Sequence, residues 1–156
     1  MSTLTGQVAP DIALPASSGQ TIQLSDFQGK NVVLYFYPKD MTPGCTTEAC
    51  DFRDRHEEFS KINTVILGVS PDPMSRHEKF IEKHGLPFVL LSDENQELAK
   101  AFDVWKLKKN FGKEYMGIER STFIIDSEGK IVKEWRKVKV KEHTNEVYQF
   151  IQQNLV

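Results

Sequence analysis

Asn31-Val32-Val33-Leu34-Tyr35-Phe36-Tyr37-Pro38-Lys39-Asp40-Met41-Thr42-Pro43-Gly44-Cys45, with Cys50 five residues further on, is the stretch from which the fold is read. Its first seven residues are apolar and rich in β-branched and aromatic types, the signature of a buried strand. After Cys45 a polar–apolar pattern predicts a helix over residues 43–60. Cys45 therefore stands where a central strand hands over to a helix, at the carboxyl edge of a sheet and beside unpaired helix N–H groups. With Thr42 as N-cap, Pro43 falls at the first helical position, where its missing N–H costs nothing. Cys45 is then the third helical residue. The free N–H groups and the helix dipole favour a thiolate there over an ordinary buried thiol.

Working outward, a second buried strand is expected at Thr64–Ser70, a helix over 73–84 closed by Gly85, and a short strand at 88–91. Ser92 or Asp93 caps a helix carrying Leu98, Ala99 and Phe102. Strands at about 119–126 and 130–135 flank Ser127-Glu128-Gly129, a three-residue hairpin connection. The last helix runs near 141–154, with Val147, Phe150 and Ile151 at helical spacing. Upstream, Ile12 and Leu14, then Ile22 and Leu24, flank a polar turn and read as a small hairpin. Strands alternating with helices and ending in a hairpin predict an α/β fold with a mixed sheet covered on both faces.

The chain of 156 residues is long enough for one domain, 1–156, with its own core. A formal net charge of −2 gives no bias toward nucleic acid or membranes. No secretory signal and no run of membrane-spanning length is visible, so a cytoplasmic protein is expected. In that compartment two closely spaced cysteines point to redox chemistry or metal rather than a permanent cross-link.

Pro38-x-x-x-Thr42-x-x-Cys45 resembles the active-site signature of the peroxiredoxins, thiol peroxidases on a thioredoxin-like fold. Tyr35-Phe36-Tyr37-Pro38 and Thr46-Thr47-Glu48-Ala49-Cys50 are similar to the bacterioferritin-comigratory, or Q-type, branch. Gly6-Gln7-Val8-Ala9-Pro10-Asp11 and Arg120-Ser121-Thr122-Phe123-Ile124-Ile125-Asp126 extend the resemblance over nearly the whole chain. It implies a thioredoxin-like fold with a central mixed β-sheet flanked by helices and an N-terminal β-hairpin extension. It also implies that Cys45 is the peroxidatic nucleophile and Cys50 the resolving cysteine. Thr42 would hydrogen-bond the thiolate and the attacked oxygen, Pro38 would shield the thiolate, and Arg120 would stabilise it. The substrates implied are hydrogen peroxide and organic hydroperoxides, with thioredoxin as reductant, no metal or organic cofactor, and a monomer.

Blander readings stand beside these. Thr42 reads equally as a helix cap and nothing more, and Arg120 by itself reads as a surface charge at a strand end. Glu48, at the second turn, is placed to tether an arginine, with a solvated helix-face carboxylate as the default reading, and Cys50 reads as a bystander in its helix. A thioredoxin-type disulfide reductase would use Cys-x-x-Cys, whereas the spacing here is Cys-x₄-Cys. A metal module needs convergent soft ligands. His56, His77, His84 and His143 show no such spacing to the cysteines and read as surface residues. Basic and aromatic residues interleave from Trp105 to Lys113, a pattern compatible with nucleic acid. In a slightly acidic protein that segment reads instead as a solvated lysine-rich loop beside the site.

Overall fold

The computed structural model describes residues 4–155. Its elements are β1 (Leu14–Pro15), β2 (Thr21–Ile22), a 3₁₀ turn (Leu24–Phe27), β3 (Asn31–Phe36), α1 (Pro43–Lys61), β4 (Thr64–Ser70), α2 (Met74–His84) and β5 (Val89–Ser92). They continue with α3 (Glu97–Ala101), β6 (Trp105–Asn110), β7 (Lys113–Ile118), β8 (Ser121–Ile125), β9 (Ile131–Arg136) and α4 (His143–Asn154). The central sheet has five strands in the order β5-β4-β3-β8-β9. β3 runs parallel to β4 and antiparallel to β8, so the sheet is mixed, as expected.

All six residues of β3 are buried. Alternate side chains point to opposite faces of a strand, and β3 divides its residues accordingly. Val32, Leu34 and Phe36 join a core layer with Leu67, Val69, Leu91, Phe123 and Phe102. Val33, Tyr35 and Tyr37 join the other layer with Phe52, Phe59, Phe80 and Ile151. The second layer is thus roofed by α1, α2 and α4, and the first by α3 and the N-terminal hairpin. The hairpin exists as expected, with strands of two residues each.

Helix boundaries follow local chemistry. Gly85, in the left-handed region at φ 60°, closes α2. Asp93 accepts hydrogen bonds from Leu98 N and Ala99 N, so its carboxylate caps α3 although Gln96 stands at the N-cap position. The segment read as a lysine-rich loop is instead a two-stranded antiparallel ribbon, β6–β7, with Asn110 opposite Lys113. Phe111 and Gly112 turn it at φ 52° and 77°, the two positive values a tight two-residue hairpin requires. Lysine content hid the strand periodicity. Among the described residues no helix is long and apolar enough to cross a membrane.

Gly68 marks where β4 is closest to its neighbours. A methyl group there would lie 2.7 Å from Leu90 Cδ2 and 2.9 Å from Tyr35 Cζ and Oη. Those side chains are fully buried and cannot retreat. Gly68→Ala should therefore destabilise the fold by about 1–3 kcal/mol, read as a lower urea midpoint at unchanged slope.

Candidate active site

β3 delivers the chain to Pro38, half-buried, and the backbone then turns through Asp40 and Met41 into α1. Met41 adopts φ 67°, an unusual value for a long side chain, and the neighbouring residue holds the turn in place. Asp40 is fully buried and bonded on every side. Its N–H donates to Asp72 Oδ2 at 2.7 Å, and its carbonyl accepts from Arg76 Nη2 at 3.0 Å. Its Oδ1 accepts from the Tyr37 hydroxyl at 2.5 Å, and its Oδ2 lies 2.6 Å from His77 Nδ1. His77 Nε2 faces the Leu91 carbonyl at 3.0 Å, and a carbonyl can only accept, so that nitrogen carries a proton. Burial keeps the Tyr37 hydroxyl well above the usual tyrosine range and therefore a donor.

Thr42 stands at the N-cap position and Pro43 opens the helix, as expected. The Thr42 side chain makes no cap hydrogen bond; its hydroxyl donates to the Lys39 carbonyl at 2.8 Å. It closes the preceding turn rather than reaching Cys45. Cys45 is the third residue of α1 and is 1 % exposed. Arg120, one residue before β8, donates from Nη2 to Cys45 Sγ at 3.2 Å and from Nη1 to Glu48 Oε1 at 2.7 Å. A Cβ on Gly44 would come within 3.3 Å of Arg120 Nη2, so the missing side chain leaves room for the guanidinium.

Glu48 corrects an expectation: it is a buried group beneath the site, not a solvated one. Residues 45, 48, 49 and 52 form the i, i+3, i+4, i+7 stripe that α1 turns inward, and a carboxylate on that stripe was a readable signal. Burial pushes Glu48 up to about 7, against the pull of Arg120. Its Oε2 has no hydrogen-bond partner among the described residues. Burial also works against charge on Arg120, but Glu48 and Cys45 outweigh it and hold the guanidinium charged.

Residues 5–134 match the AhpC/TSA family. Peroxiredoxin Bcp of Bacillus subtilis is 66 % identical over 149 residues, covering 96 % of this chain and 95 % of that one. Peroxiredoxin Q of Xanthomonas campestris superposes with a TM-score of 0.89 at 45 % identity, covering 93 % of this chain and 92 % of that one. A bacterioferritin comigratory protein of Xanthomonas campestris, studied for its alkyl peroxide reduction activity, superposes with a TM-score of 0.89 at 44 % identity over the same shares. The chain belongs to the AhpC/TSA family.

It lies in the peroxiredoxin Q/Bcp branch and has its thioredoxin-like fold. In this peroxiredoxin both cysteines are free, and α1 runs unbroken through them. Cys50 is half-buried, and its Sγ lies 3.9 Å from His84 Nδ1. Two histidines expected at the surface are buried. His77 belongs to the Asp40 network, and His143 sits under the site with Nε2 2.8 Å from Thr122 Oγ1. Burial, then the Arg120 charge, push His143 down to about 4, so it is neutral at pH 7. Asp40, Asp72 and His77 offer ligand atoms within 4.8 Å of one another, yet each already has a hydrogen-bonding partner. In the β6–β7 ribbon, Lys108 lies diagonally across from Gly117, where an added Cβ would meet its Cδ at 3.3 Å. Burial, then Arg120, lower it from the usual lysine range.

The raised Glu48 has a measurable consequence. A carboxyl whose folded pKa lies above its unfolded value stabilises the fold below the unfolded pKa and loses that contribution as pH rises. The window runs from 4.5 to about 7. Glu48→Gln mimics the protonated form, so its stability relative to wild type should rise across that window. The gain should reach roughly 3 kcal/mol at most, one pKa unit being worth about 1.4 kcal/mol. Urea unfolding of both proteins at a series of pH values measures it.

Proposed function

We propose that this peroxiredoxin reduces hydrogen peroxide and organic hydroperoxides through Cys45, resolves the product with Cys50, and is recycled by thioredoxin or a similar dithiol protein. What supports the reading above all is the Arg120 guanidinium, 3.2 Å from Cys45 Sγ at the start of α1. A fixed cation and the free N–H groups of a helix N-terminus both favour thiolate, and they also stabilise charge developing on a departing oxygen. The alkyl peroxide reduction activity of the similar Xanthomonas campestris protein supports organic hydroperoxides as substrates. Pro38, Thr42, Cys45, Cys50 and Arg120 all come from one chain, so the reading needs no second subunit.

In the first step the Cys45 thiolate attacks one peroxide oxygen and the O–O bond breaks. The leaving oxygen takes a proton and departs as water or alcohol, and Cys45 becomes a sulfenic acid. In the second step the sulfenic acid and the Cys50 thiol condense to a disulfide with loss of water. The dithiol reductant then restores both thiols. Pro38 shields the thiolate, and Thr42 engages the attacked oxygen once its hydroxyl rotates away from the Lys39 carbonyl.

The second step cannot occur within the intact helix. Five residues along an α-helix separate two Cα atoms by about 8.6 Å, with side chains turned about 140° apart. A disulfide needs Cα atoms within about 4.4–6.8 Å. The first turns of α1 must therefore open.

Cys45→Ser should abolish peroxide reduction. Cys50→Ser should consume one equivalent of peroxide and stall with thioredoxin as sole reductant, leaving Cys45 open to a sulfenic-acid trap. Wild-type turnover by Cys50→Ser would overturn the resolving assignment. In the verified intramolecular disulfide form, amide exchange should speed up from Cys45 to Phe52 while the sheet stays protected. An intact helix across both cysteines would refute the opening.

A further inference from the structure

We propose that His84 is the proton acceptor that converts Cys50 into the attacking thiolate for resolution. The inference rests on the resolving role of Cys50 and adds the group that activates it. His84 Nδ1 lies 3.9 Å from Cys50 Sγ, within the reach of a hydrogen bond to sulfur. His84 is the last residue of α2, so the negative end of that helix's dipole faces the imidazolium formed by proton transfer. The ring is held edge-on to buried Phe80 at 5.3 Å between centroids, which limits its rotation.

The backbone of His84 adds a second tie. Its carbonyl accepts from Arg53 Nη1 at 2.8 Å, so side chain and main chain of one α2 residue both grip α1 at the Cys50 turn. Arg53 is three residues beyond Cys50 on the same helix, so the two lie one turn apart. On α1 the charged residues flanking Cys50 include Asp51, Arg53 and Asp54, the last two ion-paired at 3.0 Å. On α2 itself, Lys83 precedes His84. Once His84 has taken the proton, Arg53 keeps a positive charge one helical turn from the thiolate.

The step balances without any added reactant. The Cys50 S–H bond breaks and its proton passes to His84 Nδ1. The thiolate attacks Cys45 Sγ, the S–S bond forms, and the S–O bond breaks. The departing hydroxide takes up the proton from the imidazolium through solvent and leaves as water. Cys45 is reduced from sulfenic acid to disulfide while the Cys50 thiol is oxidised. A second consequence is that the clasp between α1 and α2 opens as the thiolate leaves.

The test uses the full chain mixed with one equivalent of hydrogen peroxide, with disulfide formation followed by quenched-flow mass spectrometry between pH 5.5 and 9. Loss of the reduced Cys45 thiol serves as the internal reference. His84→Ala should slow disulfide formation about tenfold at pH 7, a modest effect for a general base because a thiol also ionises unaided. The loss should shrink toward pH 9, shifting the rate profile to higher pH. His84→Gln keeps bulk and hydrogen bonding but cannot take the proton, and it should behave like His84→Ala. Alkylation of Cys50 in the Cys45→Ser background should show the same shift when His84 is replaced. A wild-type pH profile in both His84 variants, or full rescue by glutamine, would overturn the proposal. Absence of any intramolecular disulfide in the wild type would instead overturn the resolving role of Cys50.

Discussion

The two-pronged hydrogen bonding of Arg120 is the constraint on which the site depends. One guanidinium nitrogen is fixed to Glu48 and another to Cys45, both on the inward stripe of α1. Glu48 is buried and Arg120 half-buried, and removing one partner of such a pair leaves the other without its counter-charge. Glu48 supplies that counter-charge and, in doing so, sets where the second prong points. The fold must then hold the start of α1 against the start of β8. It does so through β3, which is paired to β8 on one side and leads into α1 at its end. The sheet order therefore places Arg120 beside a cysteine 75 residues away in sequence.

α1 carries two opposed requirements on the proposed reading. Its first turns must present Cys45 precisely enough for Arg120 to reach, yet open for the disulfide. Its composition grades from one demand to the other. Thr42 makes no side-chain cap, and the first turn holds no acidic residue to complement the dipole. Further along, Phe59, fully buried, packs against Tyr148. Opening is cheap where it is needed and expensive beyond it, because aromatic burial dominates local stability. The Arg53 and His84 contacts stand at the border between the two regions.

Much of this was legible in the sequence for physical reasons. A strand buried on both faces reads as a continuous apolar run, and Asn31 to Tyr37 is one. Pro43 after Thr42 fixes where a helix starts, and that places Cys45 at its third position. Arg120 needed the family resemblance, because nothing local distinguishes it from other arginines. Glu48 was readable from helical spacing but was overruled by the default that carboxylates are solvated. His77, His84 and His143 meet partners 14 to 37 residues away, and no local pattern reports such contacts. The β6–β7 ribbon was missed because lysines at alternate positions look like a solvated loop, while the Phe111-Gly112 turn signal is weaker than Asn-Gly.

On the proposed reading, the Asp40 network would let the site lose part of a helix and keep its shape. The turn between β3 and α1 is anchored to α2 through His77 and Arg76, to Asp72 in the loop before α2, and, through His77, to Leu91 of β5. None of those contacts involves α1. When the first turns of α1 open, Pro38 to Met41 can therefore stay in place, since the groups that hold Asp40 lie outside the moving segment. On the proposed reading, the left-handed Met41 ends the fixed part, and the chain toward Cys50 would move from there. Reclosing then requires only that α1 rewind onto a preformed turn, with Glu48 returning to Arg120. An anchor on one side of Cys45 and an opening helix on the other make one cysteine serve both steps of the proposed cycle.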